Sequence, residues 1–386
     1  MTVALPPIIY FGNTWSADHR TSSHHIAAHL ARRTRVVYVE CPGLRAPSAT
    51  GRDFRRTLER IWQALSGERV TADGMLVATL LQIPFRRRRL VAWLNQWLAR
   101  ATLRRLLRRH GLDHVVSWAV VPHVNHIAGR LGEQLLVYYC IDDYAALPGV
   151  DETAVAEMDA ELTRRSDLVF VASATLLDAK RALNPATSLS PHGVDFEHFA
   201  QAQDPHCVVA GDVAAITGPV VGCIALIERW IDLELIDEVA RLNPDATVVV
   251  IGRIAVPSAT LPSRPNLRWL GPRPYASLPS YGKRFDVAII PYRLTRQVMH
   301  ANPLKLREYL AMGKPIVSVA TPEVDQFASL VAIARGSADF AGLVAAALAA
   351  PRDQHAVAAR MAAARSMSWS SRVDSVVAVV EARLPA

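Results

Sequence analysis

The chain has 386 residues, 51% hydrophobic and 20% charged, a composition that excludes extended disorder and exceeds what one hydrophobic core ordinarily supports. Two domains of ordinary size, with a cleft between them, are expected. The formal net charge of +8 points to an anionic partner, while Cys41, Cys140, Cys207 and Cys223 are widely spaced and form no CxxC or Cys/His pattern, against structural zinc or a disulfide framework.

The opening residues, Met1 to Pro7, lack a basic n-region and an apolar h-region, so no secretory signal is expected. A run of 11 largely apolar residues from Phe340 to Ala350 falls well short of the roughly 20 that span a bilayer. A cytoplasmic protein is the expectation. Strands are predicted at Pro7 to Phe11, Val36 to Glu40, Leu76 to Leu81, Val115 to Trp118, Leu135 to Tyr139 and Leu168 to Ala172. Helices are predicted between them at Ser22 to Arg33, Leu90 to Arg109, Pro122 to Leu131, Glu152 to Arg164 and Ala174 to Leu183. Such alternation implies a parallel sheet covered on both faces. Within it, residues 86–110 carry nine arginines and no acid, interleaved with Trp93, Trp97 and leucines, and residues 52–65 repeat the theme. Two readings stay open: basic helices lying on anionic lipid, or helices covering a sheet with solvated arginines. Nucleic-acid binding through the same charge is a third, less favoured reading.

Pro185, Pro191, Gly193 and Pro205 interrupt the pattern and mark a boundary, giving an N-terminal domain at 1–200 and a C-terminal domain at 206–366. Strands resume at Val220 to Ala225, Thr247 to Ile251, Leu267 to Leu270, Val287 to Ile290, Ile316 to Val319 and Val331 to Ala334. Helices are predicted at Leu233 to Leu242, Leu304 to Met312 and Phe340 to Ala349. The fold class is therefore α/β, two Rossmann-like doubly wound domains in tandem. A last helix within 367–386, after Trp369, is expected to pack back across the cleft.

Chemistry concentrates after the strand that ends at Pro291 and Tyr292. Asn302 suits a helix N-cap and Pro303 the first helical position. Free backbone amides there make an anion site. Lys305 in the first turn opposes the helix dipole, which a bound phosphate would explain; an ordinary surface pair with Glu308 is the alternative. Tyr292 either stacks on a base or closes the sheet as a half-buried aromatic.

The run from Asn302 to Val317 (NPLKLREYLAMGKPIV) resembles the donor segment of GT-B glycosyltransferases, particularly bacterial polysaccharide enzymes of group 1 (family 4) such as the teichuronic-acid and GumK-like glucuronosyltransferases. Arg20 to His25, Leu30 to Glu40, the Pro191-His192-Gly193-Val194-Asp195 loop and Trp369 are similar to their other motifs, in the same order. The resemblance implies that Glu308 binds donor ribose hydroxyls, Lys305 meets the diphosphate and Tyr292 packs on the base. His300 stands where a retaining enzyme usually has its first glutamate, which leaves the sugar contact and the stereochemistry open. Asp142 matches the aspartate that serves as base in the GumK-like enzymes. If the reaction inverts, it takes the acceptor proton; if it retains, it binds acceptor. A turn-capping role is the alternative, and Asp143 is the more natural cap.

No two aspartates lie two residues apart, so a DxD metal site is absent, and helix amides with Lys305 are expected to neutralise the leaving group without a metal or other cofactor. Arg20, His24, His192, Asp143 and His300 are further candidates for cleft or acceptor contacts. Gly12 begins no full GxGxxG, which disfavours a nicotinamide site. The reading is sugar transfer from a nucleoside diphosphate to a glycan or lipid-linked acceptor. Its alternatives are a nucleotide-sugar epimerase and a non-enzymatic basic protein that binds lipid or nucleic acid.

Overall fold

The computed structural model describes residues 5–15, 20–41, 44, 69–71, 74–80 and 89–384, with side chains of the arginine-rich helix from Trp93 onward. Two compact units emerge: Met1–Pro191 with Val373–Ala386, and His192–Arg372. The predicted basic helix at 52–65, and residues 86–88, lie outside the described residues.

The first unit holds strands β1 (Ile8–Gly12), β2 (Val36–Glu40), β3 (Arg69–Val70), β4 (Leu76–Thr79), β5 (Val116–Ala119), β6 (Leu135–Cys140), β7 (Leu168–Val171) and β8 (Thr187–Leu189). They form one sheet in the order β3-β4-β2-β1-β5-β6-β7-β8, parallel except for the edge strand β3. Helices α1 (Ser22–Ala31), α2 (Arg89–Arg109), α3 (Glu152–Arg165) and α4 (Ala174–Arg181) connect the strands. β1 and β2 are buried at every position, as β-branched and aromatic runs covered on both faces require. The helix expected over Pro122 to Leu131 is only a 3-10 turn, Pro122–Val124, followed by turns. The reason lies in competition for its carbonyls. The Arg165 guanidinium takes the oxygens of Asn125 and Ala128 at 2.6 and 3.1 Å, and Gly129 adopts φ 73°.

The second unit holds helices α5 (Phe196–Ala200), α6 (Gly211–Ala214), α7 (Leu233–Leu242), α8 (Leu278–Arg284), α9 (Arg296–His300), α10 (Leu304–Ala311), α11 (Pro322–Asp325), α12 (Ser337–Ala349) and α13 (Gln354–Ser366). Its strands β9 (Val220–Ile224), β10 (Thr247–Ile251), β11 (Leu267–Gly271), β12 (Val287–Ile290), β13 (Ile316–Val319) and β14 (Ala332–Ala334) pair in parallel in the order β11-β10-β9-β12-β13-β14. Alternate residues serve opposite cores. Ala288 and Ile290 join Leu306, Tyr309 and Leu310 of α10 on one face, whereas Val287 and Ile289 join Ile236, Val239 and Phe340 on the other. At the end of β10, Gly252 sits at φ 143°, and a Cβ there would lie 1.7 Å from the Ala225 oxygen, so only glycine lets these two loops touch.

A last helix, α14 (Trp369–Arg383), starts in the second unit and contributes Val373 onward to the first. Cys41, Cys140 and Cys223 are buried thiols and Cys207 is half-buried. Burial drives the Cys41 thiol far up and pushes Cys140 and Cys223 up to about 12. Among the described residues no helix is long and apolar enough to cross a membrane.

Candidate active site

In the second unit the strand order reverses between β9 and β12, and open α/β sheets take ligands at such a point beyond the carboxyl ends of the strands. The loops leaving the two strands are tied there. Ile231 bridges Tyr292, the Asp232 amide donates to the Pro291 oxygen at 2.8 Å, and the Arg293 amide donates to the Trp230 oxygen at 2.8 Å. Helix α10 begins directly behind this junction. Inside it, the Tyr309 hydroxyl accepts the Ile224 amide at 2.6 Å, fixing α10 to the end of β9. Gly313 at φ 65° then stops the helix, with the Lys314 and Gly313 amides donating to Tyr309 and Leu310 carbonyls.

Lys305 and Glu308 face each other in the first two turns, Nζ donating to Oε2 at 2.6 Å, with the Lys305 side chain 24% and the Glu308 side chain 9% exposed. The lysine charge also reaches Cys223 on β9, and the Glu308 carboxylate helps burial and Cys223 hold the Tyr292 hydroxyl well above its usual range. Tyr292 is half-buried, packed between both cores. It therefore forms a wall of the junction.

The predicted N-cap is displaced by one residue. Pro303, extended at φ −68°, ψ 115°, is the N-cap of α10 and contributes no side-chain cap bond. Asn302 precedes a proline, which disfavours helical backbone, and its buried amide donates instead to Glu323 Oε2 at 2.6 Å. So Asn302 faces the interior rather than the amides it was expected to cap. His300 is the last residue of α9, two positions before Asn302. His192 is 5% exposed, its ring tilted against Trp369 with centroids 6.0 Å apart, and burial with the nearby Arg307 charge pushes its pKa down to about 3. It is a neutral, buried group of the second unit. Glu323, Arg307 and Glu228, 3%, 2% and 8% exposed, are buried charged groups of this unit that the sequence pattern does not single out. Spacing along the chain carries no signal for Glu323, which lies 21 residues beyond its partner.

In the first unit, Asp142 and Asp143 follow β6. Asp142 Oδ1 accepts the Asp143 amide at 2.9 Å, and the Ala146 amide donates to the Asp143 oxygen at 3.0 Å to close a 3-10 turn, Tyr144–Ala146. Asp143 holds the N-cap position without a side-chain cap bond. The Tyr144 hydroxyl donates to the Val120 oxygen at 2.6 Å and seats the turn on the loop after β5. Arg20, half-buried, precedes α1. His24 is 3% exposed: Nδ1 accepts the Thr21 amide and Nε2 donates to the Thr14 oxygen, both at 3.0 Å. That pattern places a neutral ring in the cap of α1. Glu40, 5% exposed at the end of β2, accepts the Trp15 amide at 2.8 Å and anchors the same loop. Among the described residues no group of three or more His, Cys, Asp or Glu is placed to hold a metal ion.

Residues 218–365 match the family described as Glycosyl transferases group 1. The chain is similar to the putative teichuronic acid biosynthesis glycosyltransferase TuaH of Bacillus subtilis (strain 168), 25% identical over 334 residues, covering 81% of this chain and 80% of TuaH. Among solved structures it resembles Anabaena HepE in complex with UDP and glucose, with TM-score 0.67, 14% identity and coverage of 98% and 99%. It also resembles sucrose-phosphate synthase of Thermosynechococcus elongatus, with TM-score 0.70, 12% identity and coverage of 98% of each chain. The chain therefore has the fold of the GT-B glycosyltransferases, and residues 218–365, within its second unit, match a group 1 glycosyltransferase domain.

Proposed function

We propose that the chain transfers a hexose-type sugar from a nucleoside diphosphate, with UDP the first candidate, to a glycan or lipid-linked acceptor in cell-surface polysaccharide synthesis. The observation that carries this reading is the start of α10 after β12, where the N-cap makes no side-chain bond and Lys305, 24% exposed, pairs with the buried Glu308. An anionic diphosphate suits the amides and the dipole, Lys305 offsets charge developing on the leaving group, and Glu308 accepts hydrogen bonds from ribose hydroxyls. The UDP carried by HepE and the polysaccharide role in the name of TuaH support the donor and the pathway. No metal or other cofactor is required in this scheme, because the cation and the amides already meet the phosphates. In it, Asp142 takes the proton of the acceptor hydroxyl.

Helix α2 supports a peripheral place on an anionic membrane surface, at the inner face of the plasma membrane. Trp93 and Trp97 are 63% and 56% exposed one turn apart, and Arg104, Arg105, Arg108 and Arg109 are exposed further along. Indole rings and arginines on one helix suit a headgroup layer. The test is a calorimetric panel of UDP-, GDP- and dTDP-sugars against the wild type and Glu308→Ala, followed by mass spectrometry of products made with a lipid extract. Tight binding of one nucleotide class that Glu308→Ala weakens is expected; equal binding by both proteins would sink the donor site.

A further inference from the structure

Behind the first turn of α10 lies a buried polar cluster that sugar transfer does not itself call for. Asn302, Arg307 and Glu323 are 5%, 2% and 3% exposed. Glu323 sits in the first turn of α11, capped by Thr321, whose hydroxyl accepts the Val324 amide at 3.3 Å. From there its Oε2 takes the Asn302 amide at 2.6 Å. Arg307 turns back along its own helix, and its Nη1 donates to the Pro303 oxygen at 3.2 Å while the guanidinium lies 5.7 Å from the Phe327 ring centroid. Two consecutive residues, the N-cap of α10 and the one before it, are thus held from two directions by buried charged groups.

Stability alone gives little reason for such a cluster. A buried ion cluster replaced by well-packed apolar side chains is often neutral or more stable, whereas leaving one charge behind is strongly destabilising. What apolar residues cannot do is grip an amide and a carbonyl at fixed positions. The guanidinium stays charged at neutral pH: burial and Arg372 lower its pKa to about 10, against the favourable Glu323 carboxylate.

We infer that Glu323 and Arg307 are positioning residues of the donor site, acting through Asn302 and Pro303 to set the first turn of α10. This rests on reading that turn as the place of the donor diphosphate. Loss of the grip lets the turn fray, so the amides, Lys305 and Glu308 no longer meet the phosphates and ribose together.

The experiment measures UDP affinity by calorimetry and the thermal midpoint in parallel on full-length variants. Asn302→Ala is expected to weaken UDP about tenfold and, by taking a donor from the buried Glu323 carboxylate, to lower the midpoint as well. Glu323→Gln keeps an oxygen for Asn302 and is expected to hold UDP affinity while lowering the midpoint, because Arg307 loses its counter-charge. Glu323→Leu is expected to lose both, and adding Arg307→Met to it restores the midpoint but not the affinity. Stability and affinity part company only if the cluster positions α10. Wild-type UDP affinity in Asn302→Ala and in the Glu323→Leu/Arg307→Met double variant, with Glu308→Ala impaired, would overturn the positioning role and leave the donor site standing. Unimpaired Glu308→Ala would overturn the donor site itself.

Discussion

The carboxyl edges of the two sheets are built differently. In the second unit the proposed donor segment is a helix start held by buried partners: Tyr309 on the Ile224 amide, Glu323 on Asn302, Arg307 on Pro303. In the first unit Asp142 sits in a local turn, half-buried, its Oδ1 on the next residue's amide. The proposed donor edge is thus held by buried side-chain bonds, and at the proposed acceptor edge Asp142 takes part in a local backbone turn. A nucleotide is the same in every turnover and rewards a rigid site. An acceptor-side base needs a carboxylate that stays reachable and can shift toward a hydroxyl.

The comparison is broken most directly at Asp142. Asp142→Asn is expected to lower transfer by about 10²–10⁴-fold while nucleotide affinity stays at the wild-type value. A fully active variant would remove Asp142 from the chemistry.

The dryness of the second unit is tested through His192. Its folded pKa of about 3 lies below the ordinary value of 6.5, so between those limits the unfolded chain binds the extra proton and stability falls as pH drops. At pH 4 the loss is expected to be about 3 kcal/mol. Urea titrations from pH 7 to 4 should show a shallower acid limb in His192→Gln; an unchanged limb would place His192 in a wet site.

Glu308→Ala sharpens the donor side with a smaller effect. Loss of a charged hydrogen-bonding group of this kind is expected to cost about 1.5–3 kcal/mol, a weakening of nucleotide binding of roughly 10- to 100-fold. Smallest is the outer face of the first unit. Trp93→Ala/Trp97→Ala is expected to reduce sedimentation with anionic vesicles by about tenfold, leaving transfer to a soluble acceptor unchanged; equal sedimentation would assign α2 to sheet covering alone.

Much of this architecture is legible in the residue pattern. Val36–Glu40, Thr247–Ile251, Val287–Ile290 and Ile316–Val319 are found at the predicted limits because β-branched runs covered on both faces have few alternatives. The helix over 122–131 failed because Arg165, distant in sequence, takes its carbonyls. Short helices such as α5, α8 and α9 carry too few turns for a periodic signal. At the site, Lys305 and Glu308 are readable as neighbours because i and i+3 share a helix face. By contrast, the fates of Asn302, His24 and His192 depend on Glu323, Thr14 and Arg307, which periodicity does not connect to them.

The cysteines carry a practical consequence. Thiolate is the form that reacts with maleimides, and Cys41, Cys140 and Cys223 are buried thiols held far from ionisation at neutral pH, whereas Cys207 is half-buried. A spectroscopic label added to the native protein will therefore collect at Cys207, in the second unit. With Cys207→Ser as background, the buried thiols stay silent and a single cysteine introduced at an exposed position of either unit takes the label alone.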